Sequence, residues 1–173
     1  PAKAYLNELM GYNPAGDIKI PDGVSFSTIG KRVLLVDDNQ DLLDFLRESI
    51  SSDFAEIMTA PGGRKVMEML EEGYMPDIIV SDVNMPDGDG YTLCSKLKND
   101  EKYSHIPIIL LTARGEEQSK SDIYKIGADA YMAKPFETDT LVELIRNLLK
   151  RKENIRKRYL DAGNETTGGY GSS

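Results

Sequence analysis

Asp37 and Asp38 directly follow the apolar run Val33 to Val36, Asp82 follows Asp77 to Val80, Thr112 follows Ile106 to Leu111, and Lys134 follows Ala128 to Ala133. Each run stops on a residue type that can do chemistry. Three carboxylates gathered in one place repel by about 1 kcal/mol per pair at 4 Å in water-like surroundings, and by about 4 kcal/mol at an effective dielectric near 20. A positive charge must therefore share the site. Lys134 supplies one, and an all-oxygen cluster without nitrogen or sulfur favours a hard divalent cation, Mg²⁺ with retained waters. The single histidine, His105, precedes the run Ile106 to Leu111 at the opposite edge, which argues against zinc. A calcium loop counted from Asp82 fails at Pro86 and Asp87, where the template needs Asp or Asn and then Gly.

A carboxylate, a divalent metal, an ammonium and a hydroxyl in one place suit phosphoryl transfer to Asp82. Asp82 is the candidate nucleophile, the metal and Lys134 neutralise the transferring group, and Thr112 binds one of its oxygens. No Walker-type glycine loop is present, so the phosphoryl donor comes from outside the chain. Each residue also has a plain structural reading. Asp38 or Asn39 can cap a helix, Thr112 can sit in a turn, and Lys134 can be a surface lysine before proline. It is their shared position at strand ends that favours a site.

The elements that must hold these residues follow from periodicity. Besides the four runs above, Phe54 to Ala60 reads as a strand. Between the runs lie helical stripes: Leu42, Leu43, Phe45, Leu46 and Ile50; Val66, Met69 and Leu70; Leu93, Cys94 and Leu97; Ile123 and Ile126; then Leu141, Leu144, Ile145, Leu148 and Leu149. Strands alternating with helices imply βαβ units, and right-handed crossovers imply a doubly wound α/β fold with a parallel sheet. Ligands of such sheets bind beyond the carboxyl ends of the strands, the edge where the candidate residues stand.

A chain of 173 residues, 40% hydrophobic and 29% charged, suits one core with tails. Residues 1–30 read as a short helix (Tyr5, Leu6, Leu9, Met10) and a linker, residues 31–150 as the folded unit, and residues 151–173 as a helical extension and flexible tail. The last stripe continues through Ile155 and Tyr159, which marks the extension as a connector or a homodimer contact through the last helices. The net charge of −8 argues against nucleic-acid binding, although Lys150, Arg151, Lys152, Arg156, Lys157 and Arg158 crowd together, where a helix C-terminus favours cations. The single Cys94 allows no internal disulfide and points to a reducing compartment. No apolar run approaches the roughly 18 residues of a membrane span, so the chain reads as cytoplasmic. A start at Pro1 and an end in GGYGSS read as a piece of a longer protein.

The blocks VLLVDDN, IIVSDVNMPDGDGY, IILLTA and GADAYMAKPF resemble the signature of the response regulator receiver domain of two-component systems, in order and spacing, over about residues 31–150. The texture resembles the receiver of a hybrid histidine kinase. The resemblance implies a flavodoxin-like five-stranded sheet of order 2-1-3-4-5, and a phosphoryl group taken onto Asp82 from the phosphohistidine of a histidine kinase or phosphotransfer domain. It implies Mg²⁺ held by Asp38 and Asp82 directly, by Asp37 through water and by the backbone carbonyl of Asn84. It further implies phosphoryl contacts from Lys134 and Thr112, a cis Lys134–Pro135 bond, and Tyr131 as an aromatic switch. Asn84 and Arg114 flank the attack path and are candidates for tuning the phosphoryl lifetime. The domain is then a switch that controls an attached or partner output, and not a turnover enzyme.

Two rivals keep the fold. An aspartate-nucleophile phosphatase needs a second aspartate as general acid, where this chain has Asn84. An interaction module without phosphorylation has no need of the set Asp37, Asp38, Asp82, Thr112 and Lys134.

Overall fold

The computed structural model describes residues 26–86, 89–113 and 127–171. Five strands, β1 (Arg32–Val36), β2 (Glu56–Ala60), β3 (Ile78–Asp82), β4 (Ile108–Ala113) and β5 (Ala130–Lys134), form one sheet. All neighbours are parallel, in the order β2-β1-β3-β4-β5. The flavodoxin-like order anticipated from the resemblance is the order observed. The strands read as continuous apolar runs because helices cover both faces of a parallel sheet. Central β3 has every residue buried, Ser81 and Asp82 included.

Four described helices pack on the sheet: α1 (Gln40–Ile50), α2 (Gly63–Glu71), α3 (Gly90–Lys98) and α4 (Thr138–Gly171). The predicted stripe at Ile123 and Ile126 and the predicted N-terminal helix at Tyr5 to Met10 lie outside the described residues. Asn39 caps α1 by accepting the Leu42 N–H at 3.2 Å, which leaves Asp38 free of that duty. Asp89 caps α3 through the Thr92 N–H at 2.7 Å.

Three details depart from the sequence reading. Phe45, placed with the core stripe of α1, is 58% exposed, while Leu43, Leu46 and Ile50 form the buried face. Phe54 is buried but precedes β2, because Ser51–Asp53 form a 3₁₀ turn that delays the strand to Glu56. Thr112 lies inside β4, which runs on to Ala113. Helix α4 passes residue 150 without a break, and Ile155 and Tyr159 on that continuation are 46% and 78% exposed. No described helix is long and apolar enough to cross a membrane.

Candidate functional site

The carboxyl edge of the sheet gathers the residues. Asp37 continues the β1–β2 ladder by one step, its N–H donating to Ala60 O at 3.1 Å. Its carboxylate is divided between two tasks. Oδ1 accepts the Asn39 N–H at 2.9 Å and shapes the turn into α1, while Oδ2 accepts from Lys134 Nζ at 2.9 Å. Lys134 Nζ also stands 3.3 Å from Asp82 Oδ1. Asp37, Asp38 and Asp82 each offer a carboxylate oxygen within 4.8 Å of the other two, with Asp38 exposed and the other pair buried.

Burial raises the pKa of Asp82; the charge of Lys134 draws it down, Asp37 pushes it up, and the balance stays above the ordinary carboxylate value. The backbone N–H of Asn84, an exposed residue, donates to the same carboxylate. Burial works against the charge of Lys134, but the hydrogen bond and charge of Asp37, joined by Asp82, outweigh it and raise its pKa. The ammonium therefore persists at neutral pH. Counted formally, three carboxylates and one ammonium leave two net negative charges in a small volume.

Strand register then sorts the remaining residues by face. Asp82 pairs with Leu111 and Lys134 with Ala113, so these two share one face, while Thr112 pairs with Ala133 and Leu110 with Tyr131, which puts Thr112 and Tyr131 on the other. Alternation along a strand by itself puts Tyr131 and Lys134 on opposite faces; the pairing adds that Thr112, expected at the same edge, stands on the Tyr131 face, across the sheet from Asp82. Tyr131 is buried, with its ring centroid 6.5 Å from that of Tyr91 at a 35° tilt. Burial also pushes its phenol pKa well up. The Lys134–Pro135 peptide is cis. Arg114 lies outside the described residues.

The family model of the response regulator receiver domain matches residues 33–146. The chain belongs to the response regulator receiver domain family. It is 34% identical over 130 residues to histidine kinase P4 of Formosa agariphila, covering 75% of this chain and 9% of that protein. To the transcriptional regulator RpaA of Synechocystis it is 32% identical over 124 residues, covering 72% of this chain and 51% of that one. The chain thus spans about half, or far less, of the curated relatives it matches. A solved receiver domain of a signal transduction histidine kinase from Syntrophus aciditrophicus superposes with a TM-score of 0.61 at 30% identity, over 70% of this chain and 91% of that one. The Francisella response regulator 1452 receiver domain gives 0.62 at 28% identity, over 70% and 98%. This is a receiver domain of two-component signalling.

The receiver's acidic cluster fits the Mg²⁺ that such domains typically bind at this pocket. Its donors are all oxygens, two net negative charges call for a divalent ion, and exposed Asp38 leaves one side open to retained water. Mg²⁺ at about 100 times its dissociation constant should stabilise the fold by about 2.7 kcal/mol. We expect thermal melts in MgCl₂ to lie above melts in EDTA, and Asp38→Ala to remove most of the difference. Equal melting temperatures for the wild type in both buffers would refute a metal site here.

Sequence reasoning missed two features beside the site. Gly90, the first residue of α3, donates its N–H to Val83 O at 2.9 Å, and a Cβ built on it would stand 2.3 Å from Asp82 O. Gly90 therefore packs directly onto the Asp82 backbone. The signal was the glycine inside GDGY, read only as part of a block. The other feature is an apolar cavity of about 370 Å³ next to Lys134, lined by Leu42, Phe45, Leu46, Pro135 and Phe136. Exposed Phe45 is a wall of this cavity, which explains an aromatic that α1 does not bury.

Proposed function

We propose that this receiver takes a phosphoryl group onto Asp82 from the phosphohistidine of a histidine kinase or phosphotransfer domain, in the cytoplasm. An Asp82 carboxylate oxygen forms the new O–P bond as the N–P bond of the donor breaks, and the histidine leaves with its electron pair. The observation that carries this reading is the placement of Lys134 Nζ within 3.3 Å of both Asp37 and Asp82, beside the third carboxylate. Lys134 is held where it can follow charge from the carboxylates to the incoming phosphoryl oxygens. Asp37, Asp38, Asp82 and the Asn84 carbonyl would hold Mg²⁺, which when bound offsets charge on the transferring group.

Uptake adds charge and acceptor oxygens at Asp82, and Thr112 responds at the end of β4. Tyr131 shares the face of Thr112, so a shift at Thr112 reaches a buried ring whose position partner surfaces can read. Flipping such a switch from 1:99 to 99:1 takes about 5.5 kcal/mol of differential stabilisation. In this reading residues 31–150 are the receiver unit and the continuation of α4 connects it to its output.

The test is intact-protein mass after incubation with phosphoramidate, with and without Mg²⁺. We expect a Mg²⁺-dependent gain of one acid-labile phosphoryl group. No gain on a folded protein, from either the small donor or a phosphorylated kinase domain, would favour the interaction-module reading. The apolar cavity at Phe45 separates donors by size. It suits the docking of a donor protein, whereas phosphoramidate needs no such surface. Phe45→Asp should therefore slow transfer from a cognate phosphorylated donor protein by about tenfold or more, the loss of about 1.4 kcal/mol of binding, and leave phosphoramidate labelling unchanged. Equal slowing with both donors would place the effect inside the site instead.

A further inference from the structure

The end of the sheet remote from Asp82 carries a larger cavity, of about 510 Å³. Pro107 before β4, Asp129 before β5, Lys98 at the end of α3 and the stretch of α4 around residue 150 line it. Asp129 is the one carboxylate among the described lining residues, and it is already engaged. Its Oδ2 accepts from Lys98 Nζ at 2.7 Å and from the Ile108 N–H at 2.8 Å. Lys98 in turn donates to the backbone oxygens of Ser104 at 3.3 Å and Ile106 at 2.9 Å. That pair is an internal brace.

Arg151 and Lys152 line the same cavity and enter no ion pair among the described residues. Burial lowers the Lys152 pKa, with Asp77 and Asp129 opposing this and Lys31 and Lys98 reinforcing it. Its charge is therefore held partly out of water without a close counter-ion. Ile155 forms part of the apolar wall and is 46% exposed; Tyr159, one turn further, is 78% exposed. Arg156, Lys157 and Arg158 flank this stripe in a protein whose net charge is −8. A local surplus of cations thus borders an uncovered apolar stripe.

We propose that this cavity and the adjoining turns of α4 form a docking site for an acidic amphipathic segment of a partner protein. Its carboxylates pair with Arg151 and Lys152, and its apolar side chains cover Ile155 and Tyr159. The charge pattern favours this occupant over a second copy of the chain. Leu148, Lys152, Ile155 and Tyr159 alternate in steps of four and three, the seam of a heptad. A parallel second copy on that seam would set Lys152 against its own counterpart and Arg151 against Arg156. An acidic residue opposite Lys152 and others at the positions that flank the seam convert each repulsion into a pair.

The test uses the whole chain and a fluorescein-labelled three-heptad peptide with Glu opposite Lys152 and at the flanking positions and Leu at the other seam positions, read by anisotropy in about 0.1 M salt, where the Debye length is about 10 Å. The same peptide with Lys for Glu is the control. We expect the Glu peptide to bind at least about tenfold tighter than the Lys peptide. Arg151→Glu with Lys152→Glu should weaken it by about tenfold or more, and Ile155→Ser should weaken it too. Arg151→Ala with Lys152→Ala serves if charge reversal lowers the melting temperature. Asp82→Asn should leave the affinity unchanged, which keeps this result separate from the phosphorylation reading. Equal affinity for both peptides, or indifference to both pairs of substitutions, would overturn the proposal. So would stronger binding to vesicles containing phosphatidylglycerol or to duplex RNA than to the Glu peptide. A homodimer by sedimentation that Ile155→Ser dissociates would give the surface to a second copy.

Discussion

Asp82→Asn should abolish phosphoryl uptake and at the same time raise the melting temperature in metal-free buffer at pH 7. The first effect follows from chemistry. An amide lacks the negative charge that makes a carboxylate oxygen nucleophilic, so labelling by phosphoramidate should fall by at least about a thousandfold, to background. The second follows from the site's electrostatics. Burial and the neighbouring Asp37 raise the folded pKa of Asp82 above its unfolded value despite Lys134. A carboxyl so shifted binds its proton more tightly in the native state. Its favourable contribution is present below the unfolded pKa and lost as pH rises through the folded one, so at pH 7 the ionised group opposes folding. Asparagine removes that charge, and Lys134 keeps its 2.9 Å bond to Asp37. Each kcal/mol gained should appear as about 2–8 °C in a domain of this size. The gain should shrink as pH falls through the carboxylate range, where the wild-type group takes up its proton. In MgCl₂ the order should narrow or reverse, because only the wild type retains the full oxygen set. A labelled variant, or a lower melting temperature for the variant in EDTA at pH 7, would count against this account of the site.

Gly90→Ala should be the most damaging conservative change near the site. The added methyl would lie 2.3 Å from Asp82 O, 3.0 Å from Val83 Cα and 3.1 Å from Asp82 C, and all three are backbone atoms. No rotamer can relieve such contacts. Either α3 withdraws, and with it the Gly90 N–H bond to Val83 O, or the end of β3 shifts. Overpacking of this kind costs about 1–3 kcal/mol and more where backbone must move. We expect destabilisation at the upper end of that range by urea unfolding, with slower phosphoramidate labelling of the fraction that remains folded, because Asp82 is carried on the displaced segment. Gly63→Ala is the control. Its added Cβ would meet Leu93 Cβ and Cδ1 at 3.7 Å, an ordinary contact, at the first residue of α2. That variant should be neutral or stabilised by a few tenths of a kcal/mol to about 1. Equal stabilities of the two variants would show that close approach to Asp82 is not what requires glycine at position 90.

What the sequence by itself determined is the order of elements and the sheet edge on which the chemistry sits. Val33 to Val36, Ile78 to Val80 and Ile108 to Leu111 are unbroken apolar runs because a parallel sheet is covered on both faces. A polar residue at the end of such a run can only stand at the rim, so Asp37, Asp82 and Lys134 were legible one by one. Asn39 was readable as a cap for the same local reason. The tertiary structure decided what depends on register and on contacts between distant segments. Whether Thr112 shares a face with Asp82 or with Tyr131 turns on a single step of strand pairing, and no local pattern encodes that step. Phe45 sits among apolar neighbours at helical spacing, and only the packed direction of α1 shows that it walls a cavity beside Lys134. The requirement for glycine at position 90 arises because Gly90 packs against the backbone of Asp82, eight residues earlier, a contact that exists only in the folded chain. The divided duty of the Asp37 carboxylate, one oxygen for the turn into α1 and one for Lys134 97 residues away, is likewise a property of the assembled edge and not of either segment alone.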